Sequence, residues 1–407
     1  MAVLRLALRN LTRNRKRAAA SLAIIAIGAV LIVLAEGFIQ WIFWAMREAA
    51  IQSQLGHVQV TRPDYFKSGA IEPYAFLLPE NAPERAAIES TPGVKLVAPR
   101  LNLTGLIAHG ETTVSFMAEG VDPAKEESLS VAVRIVKGRN LNGASANEVI
   151  LGNGLARNLG ATPGSTVSLL VTSSRGGINA IEAKVAGIFV SASQAYDDAA
   201  LRLPLKLAQQ LVKKQGAHAW LVLLEETEKT DEFLAAFRTR FPPDRYRLEF
   251  TPWHQRADFY NKTVALFTQQ MNVLRLIIAA IIVLSISNLL IMNVLERTGE
   301  IGTLMAVGLK RRTILRLFAL ESLVLGLAGA VIGVVAGFLL AHLISAIGIP
   351  MPPPPGMEEG YTGAIRATPA VIGTAFLIAL VTPILAGLYP ARKASGLKIV
   401  DALRHNI

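Results

Sequence analysis

Apolar residues in this chain gather in four long runs, separated by segments of mixed or polar character. Each run reaches about twenty residues, the length that an α-helix needs to cross the hydrocarbon core of a bilayer. The pattern predicts membrane-spanning helices over residues 18–46, 262–295, 313–347 and 368–390. The first run is long and lacks a small-residue cleavage site, so we interpret it as an uncleaved anchor rather than a signal peptide.

The segment between the first two runs, residues 47–261, has the character of a water-soluble domain. Short alternating or β-branched stretches alternate there with helical ones. The predicted strands are 57–60, 112–120, 149–151, 166–172, 181–190, 220–224 and 246–250. Helices are predicted to begin at Pro83 and Pro204, to end before Gly160 and to be capped by Asp231. Since strands and helices do not alternate strictly, this is predicted to be an α+β domain of one or two lobes.

Basic residues flank the apolar runs and predict the orientation of the chain. The net charge is +11, and Lys and Arg crowd the segment 1–17, the cluster Lys310–Arg312 and the tail 391–407. The positive-inside rule places these segments and both termini in the cytosol, and the domain 47–261 and the loop 348–367 on the outer side. Orientation and anionic lipid headgroups explain the basic surplus, so no nucleic-acid partner is expected.

A short amphipathic segment, residues 296–312, joins the second and third runs and is called the coupling segment below. Written as a helix, Ile301, Leu304, Met305 and Gly308 fall at i, i+3, i+4 and i+7, which makes one apolar stripe suited to a groove on a partner protein. The acidic residues of the segment add charge for a basic rim on that partner. The same stripe would also suit lipid headgroups, and this alternative stays open.

Small and polar residues within the runs predict helix packing. Gly329, Gly333 and Gly337 lie on one face of the third helix and allow another backbone to approach, either from the same chain or from a second copy. Glu36, the only acid of the first run, is interpreted as an interfacial carboxylate, with a functional acid as the alternative. Four further polar residues of the second run are interpreted as contacts between helices; they are Ser285, Ser287, Asn288 and Asn293.

Motifs that carry chemistry are missing from the sequence. It contains no phosphate-binding loop, dinucleotide fingerprint, zinc-protease motif or nucleophile elbow. Gly152–Gly154 is interpreted as a tight turn and the pair Asp197-Asp198 as a solvated turn, and histidines 57, 109, 218 and 254 are too scattered to indicate a metal site. There is no cysteine, so a disulfide is excluded. No catalytic, cofactor-binding or metal-binding residue is predicted.

Three stretches of the sequence resemble the FtsX/MacB-like permeases of ABC transporters. The stretch Glu296–Gly308 resembles the family pattern E-R-x-x-E-I-G-x-x-x-A-x-G. The ending, Pro390–Ala394 followed by Val400–Arg404, resembles P-A-R-x-A…A-L-R, and the start from Leu8 to Arg17 resembles the family's opening. The resemblance implies an α-helical membrane protein with four transmembrane helices and a large α+β periplasmic domain between the first and second helices.

The resemblance also implies partners and a location. A separate cytosolic ABC ATPase subunit would bind ATP and push on the coupling segment, and the second spanning helix would carry the movement outwards as a lever. A second permease copy or a homologue would complete the unit, in the bacterial inner membrane. The residues implied to couple to the ATPase are Glu296, Arg297, Glu300, Ile301, Gly302, Leu304, Met305 and Gly308.

Within the family, the predicted outer domain resembles the LolC/LolE branch, which releases lipoproteins. Gly56–Val60, Val149–Gly160 and Gly187–Phe189 carry this resemblance. It implies that the chain extracts or releases lipoproteins, or another amphiphile, from the membrane. It also implies a docking turn for a periplasmic lipoprotein carrier, formed by Ser173, Ser174, Arg175, Gly176 and Gly177. An ordinary exposed hairpin is the alternative at that turn.

Other functions fit the same plan. A MacB-type efflux permease for drugs or peptides and an FtsX-like mechanotransmitter that controls a periplasmic partner share the four helices and the outer domain. A membrane-anchored receptor is a further alternative, although the coupling motif opposes it.

Overall fold

The computed structural model describes residues 9, 13, 15–69, 71–129, 133–143, 147–191, 194–352 and 360–396. Most of the predicted basic segment 1–17, residues 353–359 of the predicted outer loop and residues 397–407 of the tail therefore lie outside the described residues. The chain divides into two compact units. The helical unit comprises Met1–Trp44, Thr263–Met351 and Thr362–Ile407, and the sheet unit comprises Ala45–Lys262 and Pro352–Tyr361.

The elements follow in chain order. The helices are α1 (Arg15–Ala50), α2 (Tyr65–Ser68), α3 (Pro83–Glu89), α4 (Pro123–Leu129), α5 (Asn153–Leu159), α6 (Gln194–Asp197), α7 (Leu205–Val212), α8 (Thr230–Arg240), α9 (Pro243–Tyr246), α10 (Asp258–Glu296), α11 (Thr298–Ala306), α12 (Arg311–Ile347) and α13 (Pro369–Ser395). The strands are β1 (Val58–Thr61), β2 (Val94–His109), β3 (Thr112–Val121), β4 (Arg134–Gly138), β5 (Glu148–Gly152), β6 (Thr166–Thr172), β7 (Ile178–Val190), β8 (Ala200–Pro204), β9 (Ala219–Leu224), β10 (Glu249–Pro252), β11 (Ile349–Met351) and β12 (Tyr361–Gly363). A π-helical turn (Ile51–Leu55) follows α1.

Across the described ranges, four helices are long and apolar enough to cross a membrane: α1, α10, α12 and α13. The last of them begins as predicted, because the side chain of Thr368 accepts a hydrogen bond from the backbone N–H of Val371. Its predicted end at Pro390 is wrong, since the helix continues to Ser395. A proline inside a membrane helix is tolerated where neighbouring helices hold the turn. Here the last turn is held by the cluster of Ala391, Ala394 and Phe318.

The core of the helical unit is built on one face of α10. The buried residues of that helix recur at every fourth position; they are Ile278, Ile282, Ile286, Leu290 and Val294. The first four of them share a hydrophobic cluster with Ile25, Ala29 and Ile32 of α1. A stripe at this spacing winds slowly around one side of a helix, so the opposite side of α10 is left uncovered by the chain.

The face of α12 that carries Gly329, Gly333 and Gly337, called the glycine face below, packs against α1. A Cβ atom added at Gly333 would lie 2.6 Å from the carbonyl oxygen of Ala26 and 2.7 Å from the Cβ atom of Ala29, both in α1. The α1 residues that meet the three glycine positions are Ile25, Ala26, Ala29 and Val33. The sequence left open whether the same chain or a second copy fills this groove. In the structure, α1 of the same chain fills it.

Polar groups of the long helices also bond between helices. Glu36 of α1 is buried and forms an ion pair with Arg275 of α10, so it is a paired carboxylate. The hydroxyl of Ser287 donates to a backbone carbonyl oxygen of α13 at 2.9 Å, and Arg17 donates to Oδ1 of Asn293 at 3.0 Å. The interpretation of Ser287 and Asn293 as contacts between helices is confirmed.

The sheet unit is organised around the long strand β2. The strand order is β10-β1-β9-β2-β3-β8-β5-β7-β4, and β6 pairs with both β2 and β7. The strands β2, β3, β8, β5, β7 and β6 therefore close into a ring. The first half of β2 pairs instead with β9 in an open sheet with β1 and β10. One strand thus belongs to two sheets, which makes two lobes.

Each lobe has its own hydrophobic core. In the ring, Leu103, Phe116 and Val185 pack with residues of α5 and α7. In the open sheet, Val60 and Trp220 pack with residues of α3 and α8. The α+β class predicted from the sequence is confirmed, and of the two alternatives the structure has two lobes.

Five strands were not predicted from the sequence, namely β2, β4, β8 and the short strands β11 and β12. Two of them carry an arginine at a buried position, Arg100 in β2 and Arg202 in β8. Charged residues are rarely fully buried, so these stretches did not have the alternating pattern that predicts a strand. The short strand β4 is largely exposed and has no apolar face to detect.

Two further predictions in this unit need correction. The strand predicted over 246–250 is displaced, because Pro243 begins a helical turn and the strand runs over Glu249–Pro252. Asp231 lies in the first turn of α8, where the N-cap is Lys229 and no side chain caps the helix. The predicted starts near Pro83 and Pro204 and the helix end before Gly160, which has φ of 63°, are confirmed.

The buried arginines belong to an ion network inside the sheet unit. Arg100 lies 2.8 Å from both Glu119 and Glu126, and Arg202 lies 3.1 Å and 3.3 Å from the same two carboxylates. Arg202 also donates to the carbonyl oxygen of Ser53 in the π-helical turn at 3.1 Å. Burial opposes ionisation of Glu119, but the two guanidinium charges outweigh it and lower the pKa of this carboxyl group. The network fixes the strands β2, β3 and β8, the helix α4 and the π-helical turn relative to one another.

The glycine face leads to a prediction about stability. Replacing Gly333 with Ala places a methyl group against the backbone of α1, and overpacking of this kind costs about 1–3 kcal/mol. Gly373 of α13 is a matched control, because a Cβ atom there has no heavy atom within 4 Å. We expect Gly333→Ala to lower the thermal midpoint of the detergent-extracted protein and Gly373→Ala to leave it unchanged. Equal midpoints would show that α1 does not pack on this face.

Candidate functional site

The coupling segment begins at a sharp junction between α10 and α11. Arg297 separates the two helices, and its backbone has φ of −104° and ψ of 13°. The hydroxyl of Thr298 donates to the carbonyl oxygens of Val294 and Leu295 at 3.0 and 2.9 Å. The last carbonyl groups of α10 are thereby satisfied by the first residue of α11, so the junction is a fixed corner.

The other end of α11 is closed by a Schellman motif. Gly308 has φ of 103°, a conformation that favours glycine, and its N–H donates to the carbonyl oxygen of Met305 at 3.0 Å. The N–H of Leu309 donates to the carbonyl oxygen of Leu304 at 3.0 Å, which completes the motif. The role of Gly308 is therefore to end the helix and turn the chain towards α12.

The predicted docking stripe is largely buried within the chain itself. Ile301 is 4% exposed and Met305 is 7% exposed, and both pack in one cluster with Phe318 of α12. The prediction that Ile301 and Met305 offer an open apolar stripe to a partner is wrong, because the helical unit needs the same residues for its own core. Gly302 is buried on the same side, and Leu304 is partly buried.

The carboxylates of the segment are paired within the chain. Glu296 forms an ion pair with Arg17, and Glu300 forms one with Arg13 and another with Arg297 at 3.1 Å. The hydrogen bond from Arg13 is the main cause that lowers the pKa of Glu300, so this carboxylate is ionised at neutral pH. The interpretation of both carboxylates as charges reserved for a partner's basic rim therefore needs correction.

Arg297 ties the corner to α12. Its guanidinium lies 3.6 Å from the carboxylate of Glu321, which is buried. This contact and the pairs with Arg13 and Arg17 were not found by sequence reasoning. The sequence gives one indication of these ion pairs: the N-terminal stretch is basic, and the residues at 296 and 300 are acidic.

One side of α11 remains open, and we call it the outward face. It consists of Glu300, Thr303 and Ala306 with the C-cap Val307, at positions i, i+3, i+6 and i+7. Val307 is 80% exposed. The basic cluster Lys310–Arg312 follows directly and is exposed as well. The arrangement is a short helix whose buried side is anchored and whose free side presents small residues beside positive charge.

The predicted turn between β6 and β7 is present in the sheet unit. The N–H of Ser173 donates to the carbonyl oxygen of Gly177 at 2.8 Å, and Gly176 has φ of 84°. Ser174 is fixed through its N–H to the carbonyl oxygen of Val212 at 2.9 Å, at the end of α7. The turn is thus short and braced, with Arg175, Gly176 and Gly177 exposed. Docking of a carrier there stays a prediction.

Two of the residues screened for chemistry, His57 and Asp197, make buried structural contacts. The Nδ1 atom of His57 accepts a hydrogen bond from the N–H of Leu224 at 3.0 Å, and burial lowers the pKa of this histidine to about 4. Burial also lowers the pKa of His218 to about 4. The carboxylate of Asp197 is buried and accepts from the N–H of Ser191, so the pair Asp197-Asp198 is not a fully solvated turn. Over the described ranges, no cluster of three or more potential metal ligands occurs.

The matching family models cover most of the chain. The MacB-like periplasmic core domain matches residues 18–240, and the FtsX-like permease C-terminal domain matches residues 272–399. These matches, together with the four long apolar helices, define a multi-pass membrane protein of the ABC transporter permease class. The chain belongs to the family of permeases that have a MacB-like periplasmic core domain.

Several curated proteins are similar over part of the chain. The uncharacterized ABC transporter permease YvrN of Bacillus subtilis is 42% identical over 30% of this chain and 26% of its own length. The uncharacterized ABC transporter permease MJ1507 of Methanocaldococcus jannaschii is 27% identical over 54% of each chain. The macrolide export ATP-binding/permease protein MacB of Escherichia coli is 34% identical over 35% of this chain and 20% of its own. The matches thus span about half of these relatives at most.

Solved structures of outer domains are also similar. The periplasmic region of MacB from Actinobacillus actinomycetemcomitans has a TM-score of 0.37 and 12% identity, over 52% of this chain and 93% of that chain. The extracellular domain of the noncanonic ABC-type transporter YknZ from Gram-positive bacteria has a TM-score of 0.35 and 13% identity, over 48% and 98%. None of these matches singles out the LolC/LolE branch.

The buried stripe gives a prediction that separates folding from docking. Met305→Glu places a carboxylate in an apolar cluster without a partner, so we expect a lower thermal midpoint and a poor yield of extracted protein. Val307→Glu changes a residue that is already in solvent, and we expect the midpoint to stay the same. The measurement is thermal aggregation of both variants in detergent. Wild-type stability of Met305→Glu would mean that this stripe is not part of the core.

Proposed function

We propose that this chain is the permease subunit of an ABC transporter whose energy comes from a separate cytosolic ATPase subunit. The observation that carries the proposal is the outward face of α11, held on a helix whose other side is buried. A docking helix transmits force only if it is anchored to the rest of the permease. The corner at Arg297, the cluster around Met305 and the pairs of Glu296 and Glu300 supply that anchorage.

The outward face revises which residues meet the ATPase. Thr303, Ala306 and Val307 are the exposed positions of α11 and its C-cap, so they make the direct contact. The opposite side of α11 supports these positions through Ile301, Gly302, Leu304 and Met305, and Gly308 ends the helix. The basic cluster Lys310–Arg312 lies at the border of the contact and suits an acidic rim on the partner.

Movement of α11 reaches the outer side through α10. The two helices share a fixed corner, and α10 is a single helix of 39 residues, about 59 Å long at 1.5 Å per residue. When the ATPase closes on ATP, α11 is displaced and α10 moves with it as a lever. The sheet unit then changes position on the periplasmic side of the bacterial inner membrane, while both termini stay in the cytosol.

The cargo is an amphiphile taken from the membrane, because the spanning helices have apolar exposed faces and the sequence shows no polar channel lining. Lipoprotein release, the function implied by the LolC/LolE resemblance, is the first candidate. MacB-type efflux is the second, and the named MacB relatives favour it. ATP-dependent release of a lipoprotein from proteoliposomes, with export of a macrolide as the parallel assay, separates the two.

The outward face leads to a prediction about ATPase binding. Val307→Glu puts a charge into a desolvated protein contact, so we expect roughly ten- to hundredfold weaker binding of the partner ABC ATPase. The control Val307→Ile keeps the apolar contact and should bind normally. Binding is measured by titrating the purified ATPase onto immobilised permease. Unchanged affinity of Val307→Glu, in protein of normal stability, would contradict docking at this face.

Topology gives a second prediction. The chain has no cysteine, so single thiols are easily placed. Arg175→Cys lies on an exposed turn, whereas the neighbouring Ser173 is buried and unsuitable for labelling. We expect a membrane-impermeant maleimide to label Arg175→Cys in intact spheroplasts, and to label Thr303→Cys only after lysis. The reverse pattern would contradict the proposed orientation.

A further inference from the structure

Three exposed, large apolar side chains of the sheet unit lie together on the outer face of the ring of strands. Leu106 of β2, Met117 of β3 and Ile178 of β7 are 48%, 49% and 78% exposed. Residues on the solvated face of a sheet are usually polar, so this group is unexpected there. All three side chains line one open groove of about 650 Å³, which we call the ring groove.

The strand register builds the ring groove across four neighbouring strands. Leu106 lies opposite Ser115 of β3 and also opposite Leu170 of β6. Leu170 in turn lies opposite Ala180 of β7. Opposite residues on one face of a sheet are close neighbours, so these positions form a continuous row. Gly105 has no side chain, and core residues close to it also line the groove; they are Phe116 and Val171.

The lining of the ring groove is apolar and uncharged. Of the described residues that line it, seven are apolar, three carry a hydroxyl group and one is glycine. The same face of the sheet becomes polar further along β6 and β7, where Ser168 lies opposite Glu182 and Lys184 follows. The apolar part is therefore confined to one end of the face. Such a lining favours a neutral apolar ligand, because a charged group would lose its hydration there without gaining a partner.

The size of the ring groove favours a small ligand over a protein. A stable protein interface takes about 20–30 residues from each partner, whereas eleven described residues line this groove. Pockets for small molecules have volumes of about 300–1,000 Å³ and combine an apolar lining with a few polar groups. The volume of the ring groove lies in that range. The hydroxyl groups of Thr104, Ser115 and Thr172 are its few polar groups.

We propose that the ring groove binds the acyl chain of the amphiphile that this permease transports. The inference rests on the proposed function, in which the cargo is an amphiphile from the membrane, and it adds a binding site on the sheet unit. An acyl chain is neutral and apolar, so its burial is favourable and leaves no charge unpaired. Because the groove is open on one side, the polar head of the amphiphile stays in water.

Photocrosslinking of the full-length protein in lipid nanodiscs tests the site. The probe is a long-chain fatty acid with a photoreactive diazirine at the end of its acyl chain. We expect peptide mass spectrometry to find the probe on β2, β3 and β6 as well as on the spanning helices. An excess of unlabelled fatty acid should remove the adducts from the strands. Adducts on the helices alone would overturn the proposal, and so would strand adducts that unlabelled fatty acid does not remove.

Two matched double variants separate the ring groove from the rest of the surface. Leu106→Thr with Ile178→Thr removes apolar surface inside the groove, and Ile71→Thr with Val136→Thr does so at exposed positions outside it. All four side chains are exposed, so both variants should keep the thermal midpoint of the wild type. We expect about tenfold less strand labelling in the first variant and wild-type labelling in the second. Equal strand labelling of the two variants would overturn the proposal.

Binding of the partner ATPase, measured on the same proteins, keeps this proposal apart from the proposed function. Strand labelling as expected, in wild-type protein that binds no ATPase, would contradict the proposed function and leave the acyl-chain site standing. Normal ATPase binding without displaceable strand labelling would overturn the acyl-chain site and leave the proposed function standing.

Discussion

The close packing of α1 against two neighbours is the interaction on which the helical unit depends. On one side α1 fills the glycine face of α12, where backbone meets backbone near Gly333. On the other side it packs on the buried stripe of α10 and pairs with it through Glu36 and Arg17. Dispersion contacts at such short range are lost steeply with distance, so the helix has little freedom to shift by itself. Movement of α10 must therefore move α1 as well.

This constraint explains why the coupling segment has its particular composition. Half of a nine-residue amphipathic helix is needed to hold it, since Ile301 and Met305 complete the cluster around Phe318. The remaining half has small side chains, Thr303 and Ala306, with Val307 at its end. Small residues bury little area, so under the proposed docking each side chain adds little to the contact with an ATPase, and that contact depends on shape and on the basic border. The composition of the coupling segment therefore suits the proposed transmission of movement better than tight binding of the ATPase.

Much of this architecture is visible in the sequence because water and lipid impose different patterns. The four long runs and the cap at Thr368 follow from helix physics alone, and the motif at 296–308 identified the family. The faces were harder to predict. The sequence pattern of an apolar helical stripe such as Ile301 and Met305 is the same whether the stripe packs on a partner or on its own chain. The structure shows that it packs on its own chain, because Phe318 and Ala391 lie in the same cluster. The strands that contain Arg100 and Arg202 were not predicted, because the burial of these arginines depends on carboxylates that are distant in sequence.

The two buried arginines give the sheet unit a different kind of rigidity from that of the helical unit. A buried ion network adds little net stability, but removal of one partner leaves an uncompensated charge, which costs about 3–5 kcal/mol. Arg202 also holds the carbonyl oxygen of Ser53, two residues into the π-helical turn that follows α1. A displacement of that turn would break a charged contact inside a closed ring of strands. Within the sheet unit, the ion network therefore holds the π-helical turn and the ring of strands together.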